Sequence, residues 1–272
     1  MTSQDIYPNA PVVLVALEIR HPVADPLTSE EIRAIKQELG ELLPIERTTH
    51  QVALSQSIAL TPGALVPPME MEQFPRFTSR DGAISLSVRK EALVIECGNY
   101  PGWQAFRQVV THALAARMKV SPVSGVERIG LRYIDEVRVP TGLSHPSDWA
   151  RWVNSALLSP SVPEEIDMPV SQWQGVALYG TQPGVALVLR YGPREGFAVD
   201  PDAEIRRTKT TTTGPFFLLD IDSFWTPGDS IPECEETEVL SICEKLHLPI
   251  RTLFESMITA RLRDEVLRGH GE

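Results

Sequence analysis

The sequence predicts an α+β protein of two similar β-α-β-β-β-α units, with mostly antiparallel sheets and helices packed on one face. Three observations predict it. Strand-like runs cluster in threes instead of alternating strictly with helices, which removes a doubly wound parallel sheet. The order strand, helix, three strands, helix occurs twice and divides the chain into units 1–122 and 123–272. The fourth strand also exits alike in both halves, through LVIECGNYPG (Leu93–Gly102) and LLDIDSFWTPG (Leu218–Gly228). Each passes from an acidic residue through a small residue and an aromatic to Pro-Gly, which reads as an internal duplication.

Each element has a local reason. VVLVALEIR (Val12–Arg20) is a β-branched run opened by Pro11 and closed by His21-Pro22, hence a buried strand. Thr28 and Glu31 have capping-box spacing, and Ile32, Ile35, Leu39 and Leu42 follow at helical intervals until Pro44. Strands are expected at 50–60, 83–89 and 92–97. A helix over 103–118 places Phe106, Val109, Val110, Ala113 and Leu114 on one stripe. The second half opens on VERIGLRYIDEVRV (126–139), with Ile129, Leu131, Tyr133 and Val137 on one face and Arg128, Arg132, Glu136 and Arg138 on the other. A helix over 148–158, strands at 173–180, 185–191 and 216–223, and helices near 235–247 and 250–267 complete it. Pro249 is expected to separate the last two. Three irregular stretches stand outside this scheme: 61–76, 159–170 and 193–214.

The composition excludes several function classes. A net charge of −11 opposes broad nucleic-acid binding, which requires a basic face to displace counterions. No apolar run nears the roughly 20 residues a membrane span needs. Cys97, Cys234 and Cys243 form no CxxC pair, so neither a disulfide framework nor a cysteine zinc site is suggested, and a reduced cytoplasm is the expected compartment. The six histidines form no HExxH group, and neither GxSxG nor GxGxxG occurs.

Two features retain chemical interest. Asp220 and Asp222 would project from the same side of a strand, the spacing with which carboxylates hold magnesium. A metal site there needs a further acid, with Glu96, Asp135, Glu235 and Glu236 as candidates; the plainer account has Asp220 paired with an arginine and Asp222 capping a turn. The tract RRTKT presents Arg206, Arg207 and Lys209 among hydroxyls, able with Arg132 to contact phosphate oxygens, but it lacks the glycines of a phosphate-binding loop. The alternative is an exposed extended segment.

The motifs Tyr7-Pro8-Asn9-Ala10-Pro11-Val12, Arg128-Ile129-Gly130-Leu131-Arg132-Tyr133-Ile134-Asp135, Leu219-Asp220-Ile221-Asp222 and a late Leu-Phe-Glu-Ser-Met helix occur in this order. Together they resemble a sporadically distributed, uncharacterised bacterial family of about this length, with Asp135 standing where the family's central motif carries asparagine. The resemblance supplies no catalytic residues to carry over, and no cofactor is expected, with magnesium as the alternative. Its patchy distribution implies a partner-dependent role, such as an antitoxin or an accessory of phage defence. The expectation is therefore a cytoplasmic, non-enzymatic protein acting on a protein partner. Two alternatives stand beside it: a metal-dependent enzyme on nucleotides or phosphate esters using Asp220 and Asp222, and a nucleic-acid binder using the basic tract.

Overall fold

The β-branched run Val12–Arg20 forms β1 and lies in the middle of one antiparallel sheet. The structure, a computed structural model, describes residues 7–52, 71–140, 143, 145–159, 170, 172–201, 203, 205–207 and 213–269. After β1 come α1 (Ser29–Leu39), β2 (Ile45–Val52), β3 (Met71–Thr78), β4 (Ile84–Val88), β5 (Ala92–Cys97) and α2 (Trp103–Val120). The second half begins with β6 (Arg128–Val137). It continues through two short 3₁₀ turns, Pro146–Arg151 and Ser155–Leu157, to β7 (Gly175–Gly180), β8 (Gly184–Glu195), β9 (Pro215–Thr226) and α3 (Glu236–Met257). A π-type turn, Leu262–Leu267, follows.

Among the described residues nine strands run in the order β2-β3-β4-β5-β1-β6-β9-β8-β7. The halves meet where β1 pairs with β6, Leu17 opposite Leu131 and Ile19 opposite Ile129. They share one continuous sheet. Outward from that seam, β5 and β9 flank the centre, then β4 and β8, then β3 and β7, with β2 as an additional strand on one edge.

Pairing sets which side chains share a face, because opposed residues project together. Val15, Leu17, Ile19, Leu86, Ile95, Ile129, Leu131, Leu219 and Ile221 form the covered face and are buried beneath the helices. Phe106, Val110 and Leu114 of α2 and Cys243, Leu246 and Ile250 of α3 pack into the same core. Intermediate positions face the other way, across Glu18, Arg128, Arg132, Asp220 and Asp222.

A local rule explains the start of α1. Thr28 Oγ1 accepts from the Glu31 amide at 3.2 Å while the Glu31 carboxylate accepts from the Thr28 amide at 2.8 Å, completing the expected capping box.

Several expectations need correction. β2 begins at Ile45, earlier than expected, and part of the expected 50–60 strand lies outside the described residues. The proline-rich 61–76 stretch, expected to be loop, ends inside β3. Pro75 sits there because β4 pairs only with Arg76–Thr78, so the proline falls beyond that ladder. The first half is therefore β-α-β-β-β-β-α. In the second half the expected helix over 148–158 is two 3₁₀ turns. Helix is interrupted where Val153 bridges to Ile258 and the Asn154 amide donates to the Met257 carbonyl.

Pro249 does not divide the last helix. α3 runs through it, with Leu246 and Ile250 buried on either side. A proline inside a helix costs about 3 kcal/mol, which burial of neighbouring large apolar side chains at about 1.5–3 kcal/mol each offsets. The break comes instead at Ile258, whose backbone is extended, and Thr259 Oγ1 donates there to the Arg151 and Trp152 carbonyls.

Candidate functional site

Asp220 and Asp222 lie on β9 with their side chains on the uncovered face, as their spacing requires. There they meet guanidinium groups. Arg132 donates to Asp220 through Nε and Nη2, both at 2.7 Å, in a bidentate pair, and Arg190 stands 3.7 Å away. Arg128 reaches Asp222 at 3.4 Å and Glu18 at 3.1 Å. Burial is the largest cause of a raised Asp222 pKa, opposed first by Arg128.

The candidate third acids are elsewhere. Asp135 projects to the covered face, Glu96 accepts from Arg76 at 3.0 Å, and Glu235 and Glu236 stand at the start of α3. Among the described residues no group of three or more His, Cys, Asp or Glu side chains is placed to hold a metal ion.

The basic tract separates. The Arg206 amide donates to the Gly82 carbonyl, and the Arg206 backbone leaves no room for a Cβ at Gly98. Arg207 turns inward: Nη1 donates to Glu136 Oε1 at 2.9 Å, and Nε and Nη2 are buried without a partner among the described residues. Glu136 also receives Arg138 at 2.8 Å and the Ala198 amide at 2.7 Å. Lys209 lies outside the described residues.

A different place gathers chemically distinctive groups. The segment leading into β1, the loop between β5 and α2, the start of α2, the second half of β6 and the second half of α3 line a cleft of about 130 Å³. Tyr7, Tyr100, Trp103, Tyr133 and Phe254 supply aromatic walls, with Asp135, His247, Arg251 and Glu255 among them. His247 stacks on Trp103 with ring centroids 4.4 Å apart and planes 7° from parallel. The Tyr133 hydroxyl lies 2.9 Å from that of Tyr100 and 3.2 Å from His247 Nδ1. At the rim Tyr7 donates to Glu255 at 2.8 Å, and Arg263 donates to both.

Burial governs protonation here. It lowers the His247 pKa to about 4, with the Arg251 charge second, so the imidazole is neutral at physiological pH. It pushes Tyr100 up to about 12 and raises Tyr133 as well. It also raises Asp135 to about 8, with the Asp220 charge across the sheet adding to the effect. Asp135 is 5% exposed, and among the described residues its carboxyl has no hydrogen-bond or ion-pair partner. The signal was in the sequence. On β6 the apolar stripe Ile129, Leu131, Tyr133, Val137 skips one position, and the residue occupying it is an acid.

The far edge of the sheet is a third surface. Among the described residues β7 pairs with β8 alone, and Val176 (70%), Leu178 (66%) and Tyr179 (45%) are exposed on it. Beside it Leu248 (67% exposed), Pro249, Thr252 and Leu253 of α3 form an apolar groove against Tyr179, Val185 and Leu187.

Fold and site define an α+β protein with an open antiparallel sheet, helices on one face and an aromatic cleft containing a buried acid. The chain matches no family model, no curated protein and no solved structure. Among the described residues no helix is long and apolar enough to cross a membrane.

Proposed function

We propose that this protein acts by binding a protein partner, and that the partner docks as an extended strand along β7. One observation carries the reading: an edge strand whose large apolar side chains are exposed instead of blunted by charge. Edge strands present unpaired amides and carbonyls, and soluble proteins ordinarily protect them with lysine, proline, bulges or a covering segment. On β7 Val176 and Leu178 are exposed on the uncovered face of the sheet, and Tyr179 is exposed on the covered face, where it joins the groove lined by Val185 and Leu248. Strand addition uses these features in combination, backbone pairing for affinity and flanking apolar pockets for specificity. The net charge of −11 favours a basic partner over a second copy of this chain, which would bring an equal negative charge.

The strand order supports a further reading, that the halves descend from a duplicated unit of which β1/β6 and β5/β9 are corresponding pairs. LVIECGNYPG and LLDIDSFWTPG then mark the same exit, each leading to the helix that covers its half. A role as an antitoxin or defence accessory is supported only by the resemblance of the four motifs.

The test joins capture with size measurement. The chain and its Leu178→Lys variant are used as bait in the native host, and both are measured by light scattering. The proposal expects a basic protein that binds the wild type directly when purified, protects β7 amides from hydrogen exchange and is lost with Leu178→Lys. A wild-type dimer that Leu178→Lys dissociates would instead assign the edge to self-pairing and overturn it.

A further inference from the structure

The cleft beneath α3 carries an inference of its own, independent of the β7 edge. We propose that it binds a small organic cation, an ammonium group on an apolar or aromatic body, with the Asp135 carboxylate as counter-charge. A carboxyl group nine-tenths buried normally acquires a partner, since burying it alone is expensive in either protonation state. Glu136, the next residue, has two arginines. Asp135 has neither a cation nor a hydrogen bond among the described residues, and it lines an open cleft. The missing partner is thus one that arrives from solution.

The walls match that partner. Tyr7, Tyr100, Trp103, Tyr133 and Phe254 line the space, and aromatic faces attract ammonium groups while covering an apolar body. The charged and titratable groups on the surrounding elements tolerate or favour a cation except Arg251, whose positive charge lines the cleft and opposes one. From α3, His247 is neutral, Glu255 is engaged by Tyr7 and Arg263 at the rim, and the Arg251 charge acts on His247 and Tyr100. From β5, the buried Cys97 thiol is pushed up to about 11 and stays neutral. From β6 and the loop before α2, Tyr133 and Tyr100 stay protonated. Across the sheet, Asp220 adds negative potential, which opposes ionisation of Asp135 in the empty cleft and favours a bound cation.

Binding is then linked to a proton. In the empty cleft at neutral pH the Asp135 carboxyl is mostly protonated. An entering ammonium forms the pair with the carboxylate, and the carboxyl proton leaves to solvent. Affinity therefore falls as pH drops below about 8, by about tenfold per pH unit, while an alkylammonium ligand remains charged throughout.

The experiment titrates the purified full chain calorimetrically with benzylamine, benzyl alcohol and benzoate at pH 6, 7 and 8. Benzylamine is expected to bind at least about tenfold more tightly than benzyl alcohol at pH 8, with the pH slope given above. Asp135→Asn, which preserves size, should lower that affinity at least about tenfold and flatten the slope, with thermal unfolding confirming its fold. Leu178→Lys should leave benzylamine binding unchanged, so failure of the edge proposal and failure of this one are distinguishable. Absence of benzylamine binding at millimolar concentration, parity with benzyl alcohol, preference for benzoate, or undiminished affinity in Asp135→Asn would each overturn the assignment.

Discussion

Asp135 and Glu136 are neighbours on β6, both acidic and both buried, and they project to opposite faces of the sheet. Glu136 meets Arg138 and Arg207 at 2.8 and 2.9 Å and receives a backbone amide. Asp135 meets aromatic rings and open space. The first is buried with its counter-charges; the second has none among the described residues. The difference teaches that burial alone does not tell whether an acid has been given a partner. What separates them is whether the chain itself supplies the partner.

The comparison can be tested through protonation. The folded pKa of Asp135, about 8, lies above the unfolded value of about 4, so between these limits the folded state holds a proton that the unfolded state has lost. Its stabilising effect is complete below pH 4 and is lost as pH rises through 8. Asp135→Asn removes this titration, so its stability relative to wild type should increase by as much as about 5 kcal/mol from pH 4 to pH 9. Urea unfolding of both proteins across that range measures it, and parallel curves would mean that Asp135 is satisfied.

Glu136→Ala should act in the opposite direction. It strands the buried Arg207 guanidinium beside Arg138 and should cost about 3–5 kcal/mol at neutral pH. A loss below about 1 kcal/mol in denaturant titration would show that the cluster is hydrated and adaptable.

A smaller effect is expected at the pair on the uncovered face. Arg132→Ala takes the bidentate donor from the buried Asp220, but Arg190 is 3.7 Å away and Arg132 itself is half-exposed. About 1–3 kcal/mol should be lost, most of it recovered when Asp220→Asn is added, as a double-mutant cycle would show.

The smallest stability effect belongs to β7. Leu178→Lys should change unfolding free energy by less than about 0.5 kcal/mol, because the side chain is already in solvent. Its consequence should appear instead in the proposed strand docking, measured by loss of the captured partner.

Much of the fold was legible because its signals are local. Residue alternation in β6, the capping box at Thr28 and the stripe of α2 depend on neighbours within a few positions. The failures occur where distant residues override local preference. Pro249 reads as a helix break, yet core packing of Leu246 and Ile250 carries α3 through it. The segment with Trp149 and Trp152 has helical spacing, but pairing of Val153 with Ile258 interrupts it. β3 is hidden by its proline and becomes a strand because β2 and β4 provide ladders on either side.

The same division runs through the site. Sequence alone determined that Asp220 and Asp222 share a face, because a strand's period is two, and that the last position of the RIGLRYID motif is an acid on an otherwise apolar stripe. Only the tertiary structure decided what those acids meet. Arg132 and Arg190 come to Asp220 from the two strands flanking β9, Arg207 crosses to Glu136 from 71 positions away, and α3 brings His247 over Tyr133. Period is written into consecutive residues, whereas the partner of a charge is set by strand order and helix placement, which the whole chain must fold to establish.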